Sequence, residues 1–366
     1  MKVLLLVASP AFSEGLAFFH DELGFTIEKI SPAENPSLAE LSGHGLTICL
    51  DKNADAGPVS LRVVTEDMNL IGTTKVGPNG TRIIFSAKGS DVKLPTSKEA
   101  VFAFGDAGHA QWTTGRADML YRDLLPAGSW DYVASHIKIA GSGKVPDWVH
   151  YHDADFQIIY CYKGAAKLVY EDQGDPFMFS AGDCVLQPPL IRHRVLESYD
   201  DLEVIEVVAP LNHSTFADHM MGLPTGKLEP ERSFSGQHFI WNQSATRRWD
   251  TVNKLGGASF QVGETGISQA SGYQGGVRIL RPAGSPVTKE PFTPFLKDPR
   301  ANFTLWFILT GTADCHEQSE DSTRSVNGGD AIVSINSSLG LVGTSFQNYS
   351  DDFTVLEVQL PAEAME

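Results

Sequence analysis

The chain has 366 residues, 42% of them hydrophobic and 20% charged, and its 34 Gly and 20 Pro suit short strands joined by many turns. This length exceeds what one hydrophobic core usually supports, so two or three domains are expected. A formal net charge of −17, with no Lys/Arg cluster to break it, argues against nucleic acid and against an anionic membrane surface as partners.

The opening MKVLLLVASPAF imitates a signal peptide in its Lys2, apolar run and small residues. The run is too short for an h-region and a domain pattern follows it, which places the protein in the cytoplasm. No stretch approaches the roughly 20 consecutive apolar residues of a membrane-spanning helix. Residues 2–7 read as a strand, 11–23 as an amphipathic helix ending at Gly24, and 25–30, 46–50 and 60–65 as further strands. This βαβββ order, with FFHDELGF (Phe18–Phe25) and LSGHGLTICLD (Leu41–Asp51), resembles one module of the glyoxalase and vicinal-oxygen-chelate family across residues 1–67. That family closes a cup around a metal with two modules and takes ligands from the first and last strands of each. Here the first strand offers Lys2 and aliphatics, and Leu61–Thr65 offers no His or Glu, so the metal chemistry is not carried over. His20 and His44 are read as surface or capping groups. A single module leaves a sheet face uncovered, which predicts packing on the rest of the chain or pairing in a homodimer.

Residues 68–130, rich in Gly, Thr, Ser and Pro, read as a connecting region with strand-like stretches at Arg82–Ser86 and Ala100–Phe104. From Tyr132 onward short apolar runs alternate with turn signals, as in a barrel or sandwich. The pattern repeats. KGAAKLV at Lys163 and AGDCVLQPP at Ala181 are matched by TGTADCH at Thr310 and GGDAIVSIN at Gly328, with 18 residues from Gly164 to Gly182 and again from Gly311 to Gly329. The halves end alike, in VIEVVAP (Val204–Pro210) and VLEVQLP (Val355–Pro361), so one barrel is used twice. Cys49, Cys161, Cys184 and Cys315 stand far apart in apolar runs and imply no disulfide framework.

GKVPDWVHYHDADFQIIYCYKG, from Gly143 to Gly164, resembles the first cupin motif, and GDCVLQPPLIRH, from Gly182 to His193, resembles the second. Leu190 stands where that family usually has the second motif's second glycine. The resemblance implies a mainly β fold of two tandem cupin (double-stranded β-helix, jelly-roll) barrels after the small α+β module. Barrel one is expected over residues 131–225 and barrel two over 226–366. It also implies metal ligands at His150, His152, Gln157 and His193. Strand alternation supports this independently, because His150 and His152 must point the same way, together with Trp148. Three imidazoles and an amide without a metal would bury many unsatisfied polar atoms. The implied cofactor is a divalent transition metal, with Fe(II) favoured and Zn, Mn or Ni as alternatives.

Gln157 stands where the family commonly has Glu. Three neutral imidazoles and an amide leave the full charge on a dication, which predicts a small anionic or enolisable substrate. Gln157 would bind the metal or orient a bound oxygen species from beside it. Ile159 and Cys161 share its face and make the wall apolar, suiting a small aromatic or ketonic molecule. The second barrel places Lys297, Pro299, Thr304 and Gly340 at the ligand positions and is therefore expected to hold no metal. His316 is read as a surface histidine, and Arg192 and Arg194 as groups turned away from His193. Because the fold alone does not fix the chemistry, three functions stay open. One is a non-haem dioxygenase, the second a metal-assisted isomerase or lyase drawing its base from His136 or Tyr160, and the third a non-catalytic small-molecule binder.

Overall fold

The computed structural model describes residues 4–55, 59–65, 67, 70, 73–86, 101–126, 131–252, 259–283, 301–317, 322–335 and 344–361. The chain divides into two units, Met1–Val92 and Lys93–Glu366. In the first, the helix Phe12–Ala17 continues as a π-helical turn, Phe18–Glu22, and covers a four-stranded sheet. The strand order is Leu5–Ala8, Leu46–Asp51, Leu38–Gly43, Thr26–Ser31, with the first pair parallel. Phe18, Phe19 and Phe25 meet edge to face over Leu41, Ile48 and Leu50 in its core. His20 donates from Nδ1 to the Phe25 carbonyl at 2.6 Å, and His44 from Nε2 to that of Leu23 at 2.7 Å. Both are fold-stabilising groups. The sheet differs from expectation in one strand. Leu38–Gly43 completes it, whereas Ser60–Val64 joins a separate sheet with Arg82–Ser86 and Thr74–Val76.

The second unit holds two barrels. The first is built on two long strands, Phe156–Tyr170 and His193–Ala209, paired antiparallel and bent at register shifts around Cys161, Lys163 and Lys167. At one bend Gly164 takes φ +68°, and a Cβ there would lie 2.5 Å from the Tyr199 carbonyl oxygen. Gly311 repeats the device in the second barrel at φ +76°, with the Phe353 backbone 2.7 Å away. Only glycine fits either corner.

Strand exchange ties the barrels together. Val101–Gly105 pairs with Ala331–Ile335 in the second barrel, and Leu120–Asp123 pairs with Val133–Lys138 in the first. Strands of both barrels therefore lie within the stretch read as a connection. Ile240–Asn242, beyond the expected boundary, adds to the first barrel beside Cys184–Leu186. A shared core of Phe156, Ile158 and Tyr160 from one barrel and Phe303, Leu305 and Phe307 from the other lies between them. The second barrel is filled by its own cluster, including Trp306, Phe346 and Phe353. All four cysteines are free.

Candidate metal centre

The three-residue strand His150–His152 pairs with the start of His193–Ala209, His150 standing opposite His193. Tyr151 faces outward and stacks on Phe216 at 5.2 Å, so alternation turns His150 and His152 inward. One ligand nitrogen each from His150, His152 and His193 lies within 4.8 Å of the others. His150 donates from Nδ1 to the Trp148 carbonyl at 2.8 Å and His193 to that of Ile191 at 3.0 Å. A carbonyl only accepts, so the proton of each ring sits on Nδ1 and the lone pair on Nε2. Thr215 Oγ1 holds Nδ1 of His152 at 2.9 Å. Burial pushes all three below the ordinary histidine range, His152 to about 3. The Arg116 charge adds to the effect at His150, and the neighbouring imidazoles add to it at His152 and His193. Neutral imidazoles with oriented lone pairs are what a divalent transition metal takes, so these residues fit one.

The rings line a cavity of about 370 Å³ whose walls include Val133, Ile137, Ile159, Leu168, Phe179 and Val204. Gln157 lines it too. Its Nε2 donates to Glu206 Oε1 at 2.9 Å, leaving the amide oxygen as its one atom suited to a metal. Burial pushes the Glu206 carboxyl above the ordinary range, partly offset by that hydrogen bond. Gln187 donates to Nε2 of His193 at 3.0 Å and accepts from the Tyr170 hydroxyl at 3.0 Å, while the Tyr170 ring stacks on His193. His213, held through Nδ1 by the Pro210 carbonyl at 3.0 Å, joins the lining. Arg116 reaches in from a hairpin tip, pairing through Nη1 with Asp147 and placing Nη2 3.1 Å from Nε2 of His150.

Several expected groups lie elsewhere. His136 is buried outside the cavity, because Val133, Ser135 and Ile137 take the inward face of its strand. It donates from Nε2 to Glu203 at 2.8 Å and meets Phe307 of the second barrel at 5.5 Å. Tyr160 likewise faces the shared inter-barrel core, and burial pushes its hydroxyl up. Neither can serve as a base at the three histidines. Trp148 precedes the strand, is 38% exposed, and lies beside Arg116. Arg192 turns away as expected, to Asp218 at 3.2 Å, but Arg194 borders the cavity with a buried, unpartnered Nε. In the second barrel Thr304 is buried on a strand, and Lys297, Pro299 and Gly340 fall outside the described residues. His316 contacts Thr323 Oγ1 at 3.1 Å on a half-buried strand.

Glu206, Arg116 and His213 were not picked out from the sequence. For Glu206 a signal existed, since a lone carboxylate inside the apolar VIEVVAP run needs an explanation.

Leu190, in the motif's glycine position, takes φ 65°, the left-handed conformation that glycine adopts freely. Barrel pairing, glycine corners and motif geometry agree. The fold is the tandem cupin fold. No protein-family model matches the chain, and no curated protein does. Among solved structures, a protein from Pseudomonas aeruginosa described as glyoxylate-induced is similar at 13% identity and TM-score 0.48, over 76% of this chain and 94% of that one. An oxalate decarboxylase from Lactobacillus farciminis is similar at 14% and 0.46, over 74% and 88%. A salicylate 1,2-dioxygenase from Pseudaminobacter salicylatoxidans is similar at 12% and 0.45, over 72% and 85%. At such identities none of them assigns an activity to this chain.

Proposed function

We propose that the first barrel is a metal-dependent active site and that the protein is an oxidoreductase of the non-haem dioxygenase type, acting on a small aromatic or enolisable molecule. His150, His152 and His193 would hold the metal, Fe(II) by preference. The observation that carries this reading is the set of three neutral imidazoles, their ligand nitrogens within 4.8 Å of one another, in a mostly apolar cavity. A bound Fe(II) would supply Lewis acidity and a partner for oxygen. Gln157 brings no charge, so the substrate must supply it, which selects an anionic oxygen donor. Its amide is fixed by Glu206 and holds its carbonyl oxygen steady for orienting what binds. The test is metal analysis by native mass spectrometry, followed by oxygen uptake with catechols, flavonols and diketones. Protein that neither contains nor takes up a metal ends this reading.

One observation favours a second reading, a metal-assisted isomerase or lyase. Glu206 is a cavity-lining carboxyl raised above the ordinary range, and it provides the proton acceptor that Gln157 cannot. Turnover of a metal-loaded sample under strict exclusion of oxygen, abolished in Glu206→Gln, would decide for it.

A further inference from the structure

Arg116 sits in the turn between strands Thr113–Thr114 and Leu120–Asp123. The turn is closed by hydrogen bonds from Gly115 N to the Met119 carbonyl at 2.8 Å and from Met119 N to the Arg116 carbonyl at 3.1 Å. Within it Ala117 and Asp118 take φ 53° and 59°, a region that residues other than glycine avoid. A hairpin tip held against that preference aims one side chain. The Arg116 guanidinium is anchored through Nη1 on Asp147, whose side chain is 0% exposed. The Asp147 carboxylate also accepts from the backbone N–H of Trp148 at 2.9 Å and of Val195 at 3.0 Å, so the anchor is fixed on three sides. The guanidinium lies 5.6 Å from the Trp148 ring centroid. What remains directed at the cavity is Nη2, 3.1 Å from Nε2 of His150.

That lone pair is the one a metal would use. Once a metal holds it, the Nη2 protons lose their acceptor: Asp147 answers the guanidinium through Nη1 and Glu206 is engaged by the Gln157 amide, while His152, His193 and Gln157 bring no charge to the dication. From this juxtaposition we infer that Arg116 is a substrate-binding, specificity-determining residue and that the substrate carries a carboxylate. The inference rests on the metal-centre reading above. A carboxylate has two oxygens on one carbon, one for the metal and one for Nη2, and its charge offsets part of the metal charge that the neutral ligands leave. The apolar walls then receive the rest of a small molecule.

The probes are benzoate and its neutral isostere benzamide, titrated calorimetrically into Mn(II)-loaded protein whose metal content is first read by native mass spectrometry. Wild type is expected to bind benzoate at least tenfold more tightly than benzamide. Arg116→Gln should weaken benzoate at least tenfold, change benzamide less than twofold and keep one metal per chain. Arg116→Lys, retaining the charge without the fork, should fall between. Equal affinity of wild type for the two probes, or benzoate binding undiminished in metal-replete Arg116→Gln, overturns the inference. A wild-type protein that takes up no metal fails the metal-centre reading instead, and the mass measurement shows this before any titration.

Discussion

Replacing Gln157 by Glu tests how the cavity handles charge. The Gln157 amide donates to Glu206 at 2.9 Å, and a carboxylate in its place would set two acids at hydrogen-bond distance in a walled cavity. Two such groups share one proton, so one of the pair titrates well above the ordinary range. The folded metal-free variant then keeps a proton that the unfolded chain releases near the ordinary glutamate value of 4.5. A group raised on folding weakens stability as pH climbs above its unfolded value, by about 1.4 kcal/mol per pH unit until the folded value is reached. Urea unfolding of metal-free Gln157→Glu should therefore lose stability more steeply than wild type as pH rises from 5 toward 7, by up to about 1.4 kcal/mol per pH unit. With metal bound the sign reverses, because the added carboxylate supplies the negative charge the site lacks, and metal affinity should rise. A stability difference between variant and wild type that stays flat with pH would refute the placement of Gln157 against Glu206.

Single Ala substitutions at His150, His152 or His193 should each cut metal content from one per chain to below a tenth, measured by native mass spectrometry. Glu203 is held to about 2 by the hydrogen bond from His136, helped by Lys163 and Lys138, against the ordinary glutamate value of 4.5. Its contribution to stability is present above 4.5 and is lost as pH falls toward 2, so Glu203→Gln should flatten the acid limb of an unfolding-versus-pH curve. Burial lowers His136 from 6.5, so wild type should also begin losing stability as pH drops below 6.5, a loss absent in His136→Phe. Trp306→Ala should cost about 3–5 kcal/mol by emptying the second barrel's core, read from denaturant midpoints, while leaving the first barrel's metal content unchanged.

The parts of the site that local sequence encodes were legible. His150 and His152 follow from alternation, and the 18-residue glycine spacing from corners that tolerate no Cβ. Facing was legible only where one side of a strand is wet. Phe156–Tyr170 is buried on both sides, by the cavity and by the second barrel, so its apolar run says nothing about which side Tyr160 takes. The same holds for His136, whose strand lies between the cavity and Phe307. Pairings such as Gly105 with Ala331 join segments too distant in the chain for any local pattern to reveal. Arg116 gains its role from a hairpin turn in one such segment, and its own neighbours in sequence carry no sign of it.

The two barrels also show what separates a site from a scaffold when both descend from one pattern. Glu206 and Glu357 occupy the same place in VIEVVAP and VLEVQLP, and the ladders keep the correspondence. Glu206 is flanked by Ser135 and Ile159, and Glu357 by Arg278 and Trp306. In the second barrel Arg278 Nε donates to the carboxylate at 2.9 Å and Trp306 Nε1 at 2.9 Å, leaving Glu357 1% exposed. Charge and volume are both satisfied there by the protein itself. In the first barrel a hydroxyl and an aliphatic side chain stand in those places, neither compensating a carboxylate nor filling the space. Among the described residues Glu206 has one amide donor, and it borders a cavity. A half-buried carboxyl lining the same cavity as three neutral imidazoles stays open to a proton or a ligand, whereas the second barrel satisfies the same residue from within the protein.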